Sequence, residues 1–240
     1  MDTFKILLLI ARPAAGKSEI IHFLKNAPED ERAARYHIGS FVEIDDFPML
    51  WSWFEEDALL ERMGHPRLHT TQDGYFKYTY LWDLLIERIG LEYQKKLRDY
   101  SGDTIIIEFS RGTEHGGYQR AFDHLPDQIL KDLAILYIDV PWEESLRKNH
   151  ERFNPDRPDS ILEHGLSDEK LERLYRDTDW HEIIKDKPDY LEIHGYKVPY
   201  VVFDNSDDLT TNPGAALGER LEMVLVKLWK NYQKKQALLL

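Results

Sequence analysis

Residues 5–24 read KILLLIARPAAGKSEIIHFL. An apolar run, Lys5 to Ile10, leads into A-R-P-A-A-G-K-S at Ala11–Ser18, and Glu19 to Leu24 continues with helical spacing. This order predicts a strand, a tight loop and a helix. The first N–H groups of a helix have no intrahelical partner, and the helix dipole adds partial positive charge there. The loop is therefore a socket for an anion of phosphate size. Lys17 is placed to reach a β- or γ-phosphate, and Ser18 to offer its hydroxyl to Mg²⁺. Pro13 lacks an N–H, so the donors should come mainly from Ala15, Gly16, Lys17 and Ser18, with Ala14 and Glu19 flanking them against the nucleotide. Ala11 stands where this loop pattern usually begins with Gly.

At 240 residues and 28.4 kDa the chain is long enough for one domain, 1–240, with its own core. A hydrophobic content of 42% argues for a folded globule rather than a disordered segment. The net charge of −13 argues against nucleic-acid or anionic-membrane partners, which want a basic surface. With no cysteine, a disulfide framework and a thiolate zinc site are both excluded. The apolar run at the amino end is too short for a membrane span, so the expectation is a soluble cytoplasmic protein. Oligomeric state is left open.

Four further runs read as strands: Tyr36–Ile44, Thr104–Phe109, Leu133–Val140 and Val198–Phe203. Three of them are nearly all apolar and rich in Ile or Val, as parallel strands covered on both faces are. Helical patterns lie between them, at Ser18–Lys25, Asp83–Leu97, Trp142–Phe153, Asp168–Arg176 and Pro213–Lys234. The alternation predicts an α/β fold of three layers, a five-stranded parallel sheet with helices on both faces. Two insertions leave from strand ends, where ligands of open sheets bind. One, at about 47–100, is helical and aromatic. The other, at about 154–180, is charged and reads as a lid.

Acidic and basic groups recur at these strand ends. Asp45-Asp46 closes the second strand, and one of the two should face the cleft as a base for an acceptor hydroxyl. Glu108 interrupts a buried run and should meet Mg²⁺, water or a cation. Arg111 follows the same strand, and Arg147, Arg152 and Arg157 follow the fourth, where planar guanidinium groups suit phosphate. Asn205, after the last strand, could present itself to a nucleobase. In the aromatic insertion most rings read as core, with Tyr75 and Tyr78 at a substrate-facing rim. The histidines show no metal-ligand spacing.

The order of the loop at Ala11–Ser18, the acidic end Asp45-Asp46, the Glu108–Arg111 strand end, the arginine-bearing lid and the Asn205 turn resembles the P-loop kinases of nucleosides, nucleotides and small metabolites. The resemblance covers the layout of nearly the whole chain, but only the loop is a specific motif, and no subfamily matches. It implies a mobile lid, ATP with Mg²⁺, and an acceptor site under the second-strand insertion. By position, Lys17 and Ser18 would hold phosphate and metal, Asp45 or Asp46 the acceptor, Glu108 the metal, Arg111, Tyr75 and Tyr78 the substrate. Arg147 and Asn205 would sit by the nucleotide, and Arg152 or Arg157 over the phosphates. The expected activity is phosphoryl transfer from ATP to a small hydroxyl- or phosphate-bearing acceptor. A nucleotide hydrolase or switch, or a non-catalytic nucleotide-binding scaffold, are the alternatives.

Overall fold

A computed structural model describes residues 2–100, 102–152, 156 and 165–237. In chain order, β1 (Ile6–Ala11), α1 (Lys17–Asn26), α2 (Glu29–Tyr36) and β2 (Phe41–Asp45) come first. Then follow α3 (Asp46–Arg62), α4 (Tyr80–Asp99), β3 (Thr104–Phe109), a short 3-10 turn at Thr113–His115, α5 (Gly117–Asp123) and α6 (Asp127–Leu130). The remainder comprises β4 (Leu133–Asp139), α7 (Trp142–Arg152), α8 (Asp168–Tyr175), α9 (Trp180–Ile183), β5 (Tyr190–Ile193), β6 (Tyr196–Asp204) and α10 (Ala215–Ala237).

Every residue of β1 is buried. Successive strand side chains face opposite ways, so Ile6, Leu8 and Ile10 enter one hydrophobic core while Leu7 and Leu9 enter another. The first core is completed by Ile86 and Ile89 of α4, Tyr118 and Phe122 of α5, and Trp180 of α9. The second takes Ile20 and Leu24 of α1 and Leu221, Leu225 and Leu228 of α10. Helices thus cover both faces, which is why the strands read as unbroken apolar runs.

The sheet has six strands in the order β2-β3-β1-β4-β6-β5. Pairings β2–β3, β3–β1, β1–β4 and β4–β6 are parallel. The expectation of five parallel strands needs one correction: a sixth, β5, adds to the edge antiparallel to β6. It is joined through His194 and Gly195, at φ 49° and 79°. Positive φ at both central residues is the turn geometry whose twist suits a hairpin. Four residues with alternating burial leave little apolar signal to find. The second strand also starts later than expected, at Phe41, because Tyr36 ends α2 with its ring buried against Phe23.

Between α3 and α4, Trp53, Leu81 and Leu85 form a small third core. The loop joining the two helices is held by Asp57. Its buried carboxylate accepts from the N–H groups of Leu68, His69 and Thr70 and from the Thr70 hydroxyl. Burial alone would raise its pKa, but those four hydrogen bonds pull it down to about 2. Of the expected lid, α8 is described, whereas Arg157 lies outside the described residues. Among the described residues no helix is long and apolar enough to cross a membrane.

Candidate functional site

After β1 the chain turns through Ala14 and Gly16, at φ 55° and 107°, before α1 begins. At Gly16 a Cβ would come within 2.5 Å of Thr210 Oγ1, so both the dihedral and the close approach call for glycine. Three loop carbonyls are held from outside. Ala11 O accepts from the Tyr118 hydroxyl at 2.9 Å, Pro13 O from Ser145 Oγ at 2.8 Å, and Ala15 O from Asn205 Nδ2 at 3.1 Å. In a trans peptide C=O and N–H point opposite ways. The anchors therefore turn the N–H groups of Ala14 and Gly16 away from themselves, and the loop borders a cleft of about 430 Å³. Lys17 reaches across this cleft, its Nζ donating to Ser110 Oγ at 2.8 Å.

The cleft is bordered by Ala14, Ala15, Gly16, Lys17, Ser18 and Glu19 on one side and by Asp45, Asp46, Glu108, Arg111 and Arg152 on the other. Parallel register sets Asp45 beside Glu108 on neighbouring strands. Asp45 caps α3, accepting from the Phe47 N–H at 2.9 Å. Burial, then the charges of Glu108 and Asp46, push its pKa up to about 8. Burial likewise raises Glu108, with Lys17 opposing. Arg152 is lowered by burial, while Glu19, Asp45 and Glu108 favour its charged form. Among the described residues no group of three or more His, Asp or Glu could hold a metal ion alone. The donor set nevertheless fits Mg²⁺, which prefers oxygen ligands and takes one or two carboxylates beside substrate phosphates. Glu108, Asp45 and Ser18 border the cleft, and Glu108 or Asp45 with the Ser18 hydroxyl would supply such oxygens.

Several expected roles are altered by placement. Asp46 does not present a free carboxylate: it is buried and paired with Arg111 Nη1 at 2.6 Å. Arg111 is also buried, its guanidinium lying over the rings of Trp82 and Phe109, so its charge is already matched. Asn205 is fully buried beneath the loop, holding Ala15 rather than facing a base. Arg147 is turned outward to Glu144, Glu151 and Asp208. The next residue, Lys148, borders the cleft instead, its Nζ donating to Thr210 Oγ1 at 2.8 Å and pairing with Asp208. Ser145, Lys148 and Arg152 are spaced along one face of α7, a periodicity legible in the sequence once the loop is known to lie beneath it. Tyr118, Thr210 and Ser110 gave no such signal, since each is defined by a distant partner.

A second cavity, of about 330 Å³, adjoins the first. Both are lined by Phe47, Leu50, Trp82, Leu166 and Tyr175. Tyr75 and Tyr78 border it, and so do Trp51, Phe54, Phe76 and Trp82; since Phe76 and Trp82 also pack against the third core, the rings of the insertion serve as core and as cavity wall at once. Arg173 lies over the Tyr75 ring at 4.5 Å and pairs with Glu114 at 2.9 Å. Tyr78 is half-exposed and stacked on Tyr80 at the rim.

Fold and loop together define a mixed α/β protein with a mostly parallel sheet, in which a turn through Gly16 joins β1 to α1 at the edge of the cleft. No family model matches the chain. No curated protein matches it either. Among solved structures it is similar to TT1252 from Thermus thermophilus, with a TM-score of 0.48 and 15% identity over 94% of this chain and 98% of that one. A sugar kinase from Janibacter sp. gives 0.38 and 15%, covering 93% and 95%. A ParA family ATPase from Chlorobium tepidum gives 0.31 and 11%, covering 94% and 99%.

Proposed function

We propose that this protein transfers the γ-phosphoryl group of ATP, with Mg²⁺, to a hydroxyl group of a small metabolite. The observation that carries the reading is the loop, whose carbonyls are pinned outward by Tyr118, Ser145 and Asn205 while a desolvated pair of carboxylates stands across the cleft. The first feature suits a polyphosphate and the second suits a metal and a proton acceptor.

ATP would lie with its phosphates against the N–H groups from Ala14 to Ser18, with Mg²⁺ on Ser18 and Glu108. The metal supplies charge neutralisation of the phosphate oxygens. Lys17 adds a mobile ammonium group, exchanging its hydrogen bond from Ser110 to phosphate. Arg152, on the face of α7 that borders the cleft, contributes further positive charge, whereas Lys148 is matched by Asp208 and positions Thr210 under the loop. Asp45 is the acceptor-side base. Its raised pKa makes it a strong proton acceptor when ionised. A hydroxyl is favoured over a phosphate acceptor because the inner end of the cleft is carboxylate-rich and Arg111, the cation beside it, is matched by Asp46.

ATP consumption measured with and without a panel of sugars, nucleosides and simple alcohols tests this. An alcohol that accelerates consumption and leaves with a phosphate ester is the expected result. Equal consumption in the absence of every acceptor would favour hydrolysis instead, and no heat from MgATP in calorimetry would remove the proposal.

A further inference from the structure

The two adjoining cavities differ in charge, and, resting on the phosphotransferase reading, that difference bears on the acceptor. Across from the loop the cleft carries Asp45 and Glu108. The second cavity is bordered instead by Lys77, Lys170 and Arg173, with Glu114 the one acid among the described residues of its lining. Three cations against one acid is an unusual local balance in a chain whose net charge is −13. Arg173 and Glu114 match each other at 2.9 Å, and the Lys77 ammonium is tied to the Arg67 carbonyl. Lys170 is the charge left over.

Its position is set by the wall itself. Lys170 is half-buried on α8, and its Nζ stands 5.3 Å from the centre of the Tyr75 ring, which Arg173 also overlies at 4.5 Å. A Cβ on Gly74 would collide with the same Nζ, so the ammonium rests on bare backbone. Gly74 and Tyr75 both line the cavity, which puts the charge at its wall. An ammonium has three donors, yet among the described residues no oxygen accepts from this one and no carboxylate pairs with it. Asp73 is near: its pKa is held down first by the Thr71 hydroxyl and in smaller part by Lys170 and Arg173. It is exposed, however, and is not part of the lining. Two cations on one ring repel each other, and Glu114 offsets only Arg173.

We infer that the acceptor is a hydroxy acid. Its carboxylate pairs with Lys170 at the wall of Gly74 and Tyr75, its apolar body runs past Leu50 and Trp82, which line both cavities, and its hydroxyl meets Asp45 in the cleft. Asp45 and Glu108 would repel an acid group brought between them, which fixes the direction of the molecule. A carboxylate is favoured over a phosphate because Arg173 already donates through Nε and Nη2 to Glu114. The lone ammonium is a point charge without the planar fork that suits phosphate. Lys170 is then a specificity-determining residue that touches no reacting atom.

Three alcohols of equal length separate the charges: 6-hydroxyhexanoate, 6-hydroxyhexanamide and 6-aminohexan-1-ol, titrated by ligand-observed NMR near neutral pH in low salt without nucleotide. The acid should bind about fivefold tighter than the amide, as one partly exposed ion pair allows, and added sodium chloride should shrink that gap. Lys170→Met should bring acid and amide level while leaving the amide's affinity and the circular dichroism unchanged. Lys170→Arg should keep the preference, and Lys170→Glu should turn it toward the amine. An acid that binds no better than the amide, an amine that binds best, or an acid preference that survives Lys170→Met would overturn the inference. Calorimetry with MgATP on the same protein keeps the two readings apart. No heat from MgATP alongside an acid preference that Lys170→Met erases removes the phosphotransferase and leaves the anion site. Phosphoryl transfer to acid and amide at equal kcat/KM, with equal binding, does the reverse.

Discussion

At the scale of single residues the loop sets the sharpest expectations. Gly16→Ala forces a side chain onto Thr210 at a φ of 107°, so MgATP affinity should fall below detection in calorimetry. Lys17→Ala should leave the circular dichroism unchanged and cut acceptor-dependent turnover by about 100-fold or more, the usual effect of deleting one well-placed positive group. Asp45 has its folded pKa raised to about 8 by burial and neighbouring carboxylates. Ionisation is thus delayed, and kcat/KM for the acceptor should climb with pH through neutrality, reach half its plateau near pH 8 and level off about one unit above that, while Asp45→Asn flattens the rise. Arg111→Met removes one partner of a buried pair and should cost about 3–5 kcal/mol in urea unfolding. The motif residues were legible because their chemistry is local: a lysine and a serine at the start of a helix mean the same thing in many settings. Arg111 and Asn205 were legible as cleft residues but not in role, because each is defined by a partner 65 or 190 positions away.

At the scale of elements, long apolar runs identified β1, β3 and β4, whose side chains are buried on both faces. Boundaries failed where packing decided them. Tyr36 has high strand propensity yet completes a helix, since its ring is needed against Phe23. The aromatic insertion was legible only in part: its rings do pack on one another, as Phe76 and Trp82 do against the third core, but ring content says nothing about the space they also enclose. The segment between α3 and α4 offers a test of how such a wall is held. Asp57 has its folded pKa pulled below the ordinary carboxylate value of 3.8, so it stabilises the loop at neutral pH and loses that contribution as pH falls from about 4 toward 2. Asp57→Ala strands three backbone donors and should cost about 3 kcal/mol. It should also expose residues 67–79 to limited proteolysis, and the wild type should show the same cleavage on acidification.

At the scale of the whole molecule, α10 ties the carboxyl end to the sheet. Lys235, near its end, is buried with Nζ donating to the carbonyls of Leu130 and Leu133. Burial drives its pKa down to about 8 from an ordinary 10.5. Between these values the unfolded chain holds the proton more tightly, so Lys235 should add stability as pH rises through the window. The melting temperature of the wild type, measured against Lys235→Met from pH 7.5 to 10, should gain steadily on the variant. A gap that stays constant over that range would refute the assignment.

The partition formed by Phe47, Leu50, Trp82, Leu166 and Tyr175 belongs to both cavities at once. That shared lining has a use in inhibitor chemistry. A bisubstrate compound, with an acceptor-like head tethered to a nucleotide tail, would reach from one cavity into the other past these five residues. A short tether holds the second group at high effective concentration once the first has docked. Varying that spacer atom by atom would serve as a molecular ruler for the gap that a phosphoryl group must cross.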